Sequence, residues 1–144
     1  MEALPSTGRL LAIDIGEKRI GLALSDPDQV LAQPLDTLVR RRGRRFPLAR
    51  LRPLLERHTP VGIVIGLPLT PGGAEDERAA GARSVGCLIA EKSALPVVFW
   101  DERLTTRRAL RAVRELGGSL RGRRDDVDPL AATVLLQSFL DSRR

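Results

Sequence analysis

The sequence predicts an α/β fold built on a mixed five-stranded sheet, three antiparallel strands followed by two parallel ones, with helices on both faces. Three observations carry this expectation. Three strand-like segments lie within residues 9–39, and their connections are too short for a crossover helix, so they must run antiparallel. Beyond residue 46, helical and strand-like segments alternate, which implies right-handed crossovers and parallel pairing. The last helical segment is apolar almost all round and needs burial.

Residues 1–8 read as a loose leader. Arg9–Ile15 and Arg19–Leu24 are apolar strands joined by a tight turn at Gly16-Glu17. Ser25–Asp28, "SDPD", collects the Asp and Pro that favour a second turn. Val30–Val39 is a third strand, and Pro34, which cannot donate to a ladder, interrupts it or places it at an edge. Phe46–His58 has leucines at 48, 51, 54 and 55, a helical spacing, and Pro53 predicts a kink or a restart there. "VGIVIGLP", from Val61, is a buried strand ending in a turn, and Ala74–Lys92 is helical with Ala82, Val85, Leu88 and Ile89 on one face. "PVVFW", from Pro96, is the fifth strand and runs straight into "DERLTT". Thr105 or Thr106 caps a helix striped by Ala109, Ala112, Val113 and Leu116 and ended by Gly117-Gly118. The final helix covers Pro129–Leu140. With no internal repeat and no break in composition, residues 1–144 read as one domain.

Composition narrows the function. At 42% hydrophobic and 29% charged residues the chain has an ordinary globular balance, and no apolar stretch reaches the length of a membrane span. A single cysteine, Cys87, excludes an internal disulfide and suits a reducing cytoplasm; its apolar helical setting makes it a small core residue. The net charge is +6, and among the basic residues only Lys18 and Lys92 are lysines. Arginine's planar fork suits phosphate oxygens. The arginines cluster as "RRRGRR", Arg40–Arg45, and between Arg103 and Arg124, where Glu115 is the one acid. Two such blocks can track a phosphate backbone, so the expected partner is nucleic acid, not a membrane; a solvated helix face is the bland alternative.

The carboxylates suggest chemistry. Asp14 ends the first strand inside an apolar run, and an unpaired carboxylate there needs a cation, strong donors or solvent. Locally it could equally be an Asx-type turn acid accepting from the amides of Gly16 and Glu17. Asp101-Glu102 closes the fifth strand; adjacent strand residues point to opposite faces, so one of the two can share a face with Asp14. A helix cap is the local alternative for that pair. Asp128, directly before Pro129, has the form of an N-cap. In this strand order the ends of strands one and five share an edge where open α/β sheets place ligands. If the last helix packs beside strand one, three carboxylates meet. At 4 Å two of them repel by about 4 kcal/mol at an effective dielectric near 20. A hard divalent cation removes that conflict: Mg²⁺, with Mn²⁺ as substitute. Carboxylates with Mg²⁺ beside arginine-rich surfaces describe metal-assisted phosphodiester hydrolysis.

"DIGEKRIGLALSD", "VIGLP" followed by "GG", "DERLTT" and "DPLAATVLLQ" stand in the order and spacing of the YqgF family, also called RuvX, which the chain resembles from roughly Leu10 to Leu140. The resemblance implies a ribonuclease H-like fold and a nuclease that resolves Holliday junctions, matures the 5′ end of the small-subunit rRNA precursor, or both. It matches Asp14 to the first-strand acid, Glu102 (with Asp101 beside it) to the acid after strand five, and Asp128 to the acid opening the last helix. Asp125, one turn earlier, is a substitute or helper for Asp128. Lys18 and Arg19 match a basic pair in the first hairpin, near phosphate, and Leu104–Thr106 the turn into the next helix. Gly66 and Pro68 match the end of strand four, where more distant resolvases carry a further acid. The loop after "GLP", which usually holds an Asn and an acid, reads Leu69-Thr70-Pro71-Gly72 here.

The nucleic-acid-binding candidates are therefore Lys18, Arg19, Arg103, Arg107, Arg121, Arg123 and Arg124. His58 closes a helix and reads as a surface residue. Trp100 and Phe46 are the aromatic candidates for stacking a base, but in a chain with 3% aromatics Trp100 reads as packing the strand end. Two rival functions accompany the nuclease: a binding module of the same fold without chemistry, and a small phosphotransferase, for which 144 residues leave no second nucleotide-binding half. A junction resolvase must cut two symmetric strands, so a homodimer is expected with that substrate.

Overall fold

The computed structural model describes residues 4–40, 46–105 and 127–143, and for 127–129 the backbone. The helix predicted from Thr105 or Thr106 to Gly117 lies outside the described residues, as do Arg107, Arg121, Arg123, Arg124 and Asp125.

Five strands form one sheet in the order β3-β2-β1-β4-β5: β1 Leu10–Ile15, β2 Arg19–Ser25, β3 Ala32–Val39, β4 Gly62–Leu67 and β5 Val97–Asp101. β1 to β3 are antiparallel, and β4 and β5 extend the sheet in parallel on the other side of β1. The helices are α1 Leu48–His58, α2 Glu77–Ser93 and α3 Val127–Ser142, with a 3₁₀ turn at Glu102–Leu104. Strand alternation splits the core in two. Leu11, Ile13, Ile63 and Ile65 face Leu51 of α1 and Ala79, Ala82, Val85 and Ile89 of α2. Leu10, Ala12 and Val64 face Ala132, Leu135, Leu136, Phe139 and Leu140 of α3. Helices therefore cover both faces, and Asp14, two residues beyond Ala12, belongs to the α3 face.

Details differ from expectation for identifiable reasons. β3 begins at Ala32, because Val30 and Leu31 are held outside it by the Asp26 carboxylate, which accepts from both their amides at 2.8 Å. Pro34 sits on this edge strand beside a bulge, where Leu22 pairs Asp36 and Ala23 pairs Pro34. α1 runs through Pro53 without a restart; the carbonyl Pro53 forfeits, that of Ala49, belongs to an exposed residue in the first turn. α2 starts at Glu77, not Ala74, because Asp76 caps it by accepting from the amides of Arg78 (3.0 Å) and Ala79 (3.3 Å). Cys87 is exposed: the buried face of α2 is set by Ala82, Val85, Gly86 and Ile89, and position 87 falls past it. Phe46 is buried in the core and unavailable to stack a base. The leader is anchored from Leu4 onward, which is buried under α3's face of the sheet while Arg143 donates to its carbonyl at 2.8 Å. His58 closes α1 as expected, and Trp100 packs edge-to-face on Phe139, with ring centroids 5.3 Å apart.

Gln137 is a polar residue of α3 that docks the helix against the start of β3. Buried, it accepts from Ala32 N–H and donates to Val30 O, both at 3.0 Å.

Candidate active site

Asp14 closes β1 on the α3 face, opposite Gly21 in the ladder. Gly66 lies on the same face of β4, out of phase with Ile63, Ile65 and Leu67. On β5 the alternation that sends Phe99 to the α2 side sends Asp101 there as well. The 3₁₀ turn begins at the next residue, and Glu102 emerges on the other side. Asp14 and Glu102 line one cavity of about 280 Å³ with Thr105, Leu130, Ala131, Val134 and Leu135.

The neighbouring acids have different surroundings. Asp101 caps the 3₁₀ turn, accepting from Arg103 N at 2.9 Å, and its carboxylate takes three further bonds of 2.8–3.1 Å from the Arg103 guanidinium. Arg103 holds the Asp101 carboxyl below the usual carboxylate range. Glu102 is pushed up to about 7, first by burial and then by the charges of Asp14 and Asp101, while Arg78 pulls it back. A proton is favoured on Glu102 first because burial penalises its charged form and then because Asp14 places a second negative charge in the same cavity.

Asp14 does not act as a turn acid for Gly16: that amide donates to Arg19 O at 2.9 Å. A Cβ on Gly16 would stand 2.6 Å from the same oxygen, so the tight turn requires glycine by close approach. Asp128 lies inside α3, not ahead of it as a cap, three residues before Ala131 of the cavity wall. Among the described residues, no group of three carboxylate, imidazole or thiol side chains is assembled.

Lys18 and Arg19 are exposed on the β1–β2 hairpin, and the end of β3 brings a third cation to them. Arg40 donates its amide to Lys18 O at 2.7 Å and its guanidinium to Gly16 O at 3.4 Å. Arg103, in contrast, is engaged by Asp101. Sequence reasoning missed Arg78, because its approach to Glu102 depends on the course of the preceding loop. It also missed that Gly66 makes room for Glu102; a glycine where a strand alternates apolar residues was the available signal.

Residues 8–142 match the family model described as "RuvX: Holliday junction resolvase". The chain belongs to the RuvX family. Its relatives include proteins of Koribacter versatilis, 44% identical over 136 residues (94% of this chain, 88% of that one), and of Zymomonas mobilis, 40% identical over 141 residues (98% and 85%). Both carry the name "Putative pre-16S rRNA nuclease". The RuvX chain also superposes on solved structures. Thermus thermophilus RuvC in complex with a Holliday junction substrate gives a TM-score of 0.62 at 19% identity, covering 94% of this chain and 95% of that one. The yeast mitochondrial Holliday junction resolvase gives 0.59 at 16%, covering 96% and 80%. The fold is that of the ribonuclease H-like resolvases.

Proposed function

We propose that this RuvX chain works as one domain, a divalent-metal-dependent nuclease that hydrolyses phosphodiester bonds in structured nucleic acid. It resolves Holliday junctions, matures the 5′ end of the small-subunit rRNA precursor, or both. The observation that carries this reading is the meeting of Asp14 and Glu102 in one cavity at the carboxyl end of the parallel strands, where open α/β sheets bind ligands. The family description and the names of the relatives support the same class of reaction.

The residues fit a hard divalent ion. The described charged donors are the carboxylates of Asp14 and Glu102, and no thiol or imidazole lines the cavity. Such a donor set favours Mg²⁺ or Mn²⁺ over softer metals. Asp14, Glu102 and Asp128 would hold it. When bound, the ion supplies an activated water and neutralises charge on the phosphodiester. The chain's own contribution is positional. Leu130, Val134 and Leu135 give the half-buried carboxylates an apolar wall on the α3 side, and Arg78 offsets the charge on Glu102. Lys18, Arg19 and Arg40 present cations at the adjacent hairpin for the phosphate backbone. The enzyme acts in the cytoplasm, as a two-fold dimer on a four-way junction.

The test offers four-way junctions and precursor rRNA side by side to wild type and Asp14→Asn, with Mg²⁺ or Mn²⁺. Wild type should cut at least one substrate, and the variant should bind it without cutting. Binding of both substrates by wild type with cleavage of neither would replace the nuclease by a non-catalytic binding module.

A further inference from the structure

Arg103 has a fork whose three nitrogens are all occupied. Nε donates to both oxygens of Asp101 at 3.1 Å, one terminal nitrogen to Asp101 Oδ2 at 2.8 Å, and the other to the carbonyl of Pro71 at 3.2 Å. Its backbone amide donates to Asp101 Oδ1 as well. Gly73, at φ +88°, lies against the guanidinium: a Cβ there would stand 3.5 Å from both terminal nitrogens. We propose that Arg103 and Asp101 form a clasp that positions Glu102 for divalent-ion binding, making both of them positioning residues. This rests on the divalent-ion site of the reading above, not on cleavage itself.

Geometry gives the reason. Asp101 is the last ladder residue of β5, paired with Leu67. Closing a ring between residues 101 and 103 on the α2 side leaves the residue between them one exit, toward Asp14. The bond to Pro71 then ties this ring to the loop that follows β4, the strand whose Gly66 leaves space for the Glu102 carboxylate. Both elements beside Glu102 are thereby held in register. A lysine at 103 could neutralise Asp101 but could not reach Asp101 and Pro71 with one planar group.

The experiment uses the full chain with Arg103→Gln, Arg103→Lys, Asp101→Asn and the Asp101→Asn/Arg103→Gln double variant. It reads Mn²⁺ affinity by calorimetry without nucleic acid, junction affinity against salt, and amide exchange. Each single variant should weaken Mn²⁺ binding about 10-fold, the usual scale for outer supports of metal ligands. The double variant should be no worse than either single one, because both break the same unit. Exchange at Thr70, Gly73 and Thr105 should rise together. Junction affinity and its salt slope should stay unchanged.

Two results would overturn the clasp. One is unaltered Mn²⁺ affinity in Arg103→Gln with a salt slope reduced by about one, the signature of a phosphate contact. The other is Asp101→Asn losing Mn²⁺ far more completely than Arg103→Gln, which would make Asp101 a ligand. If either Asp101→Asn or Arg103→Gln fails to fold, Arg103→Lys, which keeps the charge and loses the fork, carries the same expectation. Wild type that binds Mn²⁺ but cuts no substrate defeats the nuclease reading and leaves the clasp standing. Wild type that binds no Mn²⁺ defeats both.

Discussion

A Cβ placed on Gly66 would stand 3.0 Å from Oε2 of Glu102 and 3.1 Å from its Cγ, so the carboxylate occupies space that a side chain on β4 would take. Leu135 closes the same space from α3, its Cδ2 3.1 Å from that position. Gly66→Ala should therefore shift Glu102 before it unfolds anything. Overpacking of this size costs about 1 kcal/mol, whereas misplacing a catalytic group costs about 10- to 100-fold in rate. Cleavage assays beside thermal melts check the contrast. Full activity in a folded Gly66→Ala variant would show that the placement of Glu102 is immaterial.

Glu102→Gln should stabilise the metal-free protein above neutral pH. The folded-state value of about 7 exceeds the ordinary 4.5, so the folded chain keeps a proton that the unfolded chain has released. Stability is accordingly lost as pH rises from 4.5 through 7, and the penalty is complete above that. The shift corresponds to about 3 kcal/mol before solvent screening, reduced to about 1 kcal/mol for a carboxyl this accessible. Denaturation at pH 8 in EDTA should favour the variant by that amount, with the gap closing toward pH 4.

Gln137→Leu removes the acceptor for the buried Ala32 amide and a donor to Val30 O. The cost should be about 2 kcal/mol, the scale of one buried group left without its partner. Chemical denaturation measures it. A neutral result would mean that α3 docks on β3 by apolar contact alone.

Asp26→Ala should cost about 1 kcal/mol at neutral pH, as loss of a capping carboxylate does. Burial raises the Asp26 carboxyl, but the amides of Leu31 and Val30 outweigh it and hold the group below 3.8. Its contribution is present above the ordinary carboxylate value and lost as pH falls through the lower folded one. The difference between wild type and variant should therefore shrink in acid, which melts at pH 7 and pH 3 would reveal.

The strands were legible because Leu10–Ile15 and Gly62–Leu67 are apolar runs bounded by turns, and short connections dictate antiparallel neighbours. Choosing between Asp101 and Glu102 was not possible, because the answer depends on β5 lasting one residue beyond Trp100 before the turn begins. Alternation showed that the two must part; only the end of the strand shows which goes where. Cys87 was misread for a similar reason, since an apolar helix stretch leaves its own phase undetermined until it meets a sheet. Gln137 and Ala32 are 105 residues apart, and no local pattern links a glutamine to the start of an edge strand. Arg78 likewise reaches Glu102 through tertiary placement of the α2 N-terminus.

The chain has one tryptophan and no tyrosine. Ultraviolet emission excited at the red edge of protein absorption therefore arises from a single indole, wedged against Phe139 and adjacent in sequence to the Asp101-Glu102 pair. This chain thus carries its own label-free optical reporter two residues before the cavity's Glu102, suited to following the arrival of an ion or a nucleic-acid strand in real time.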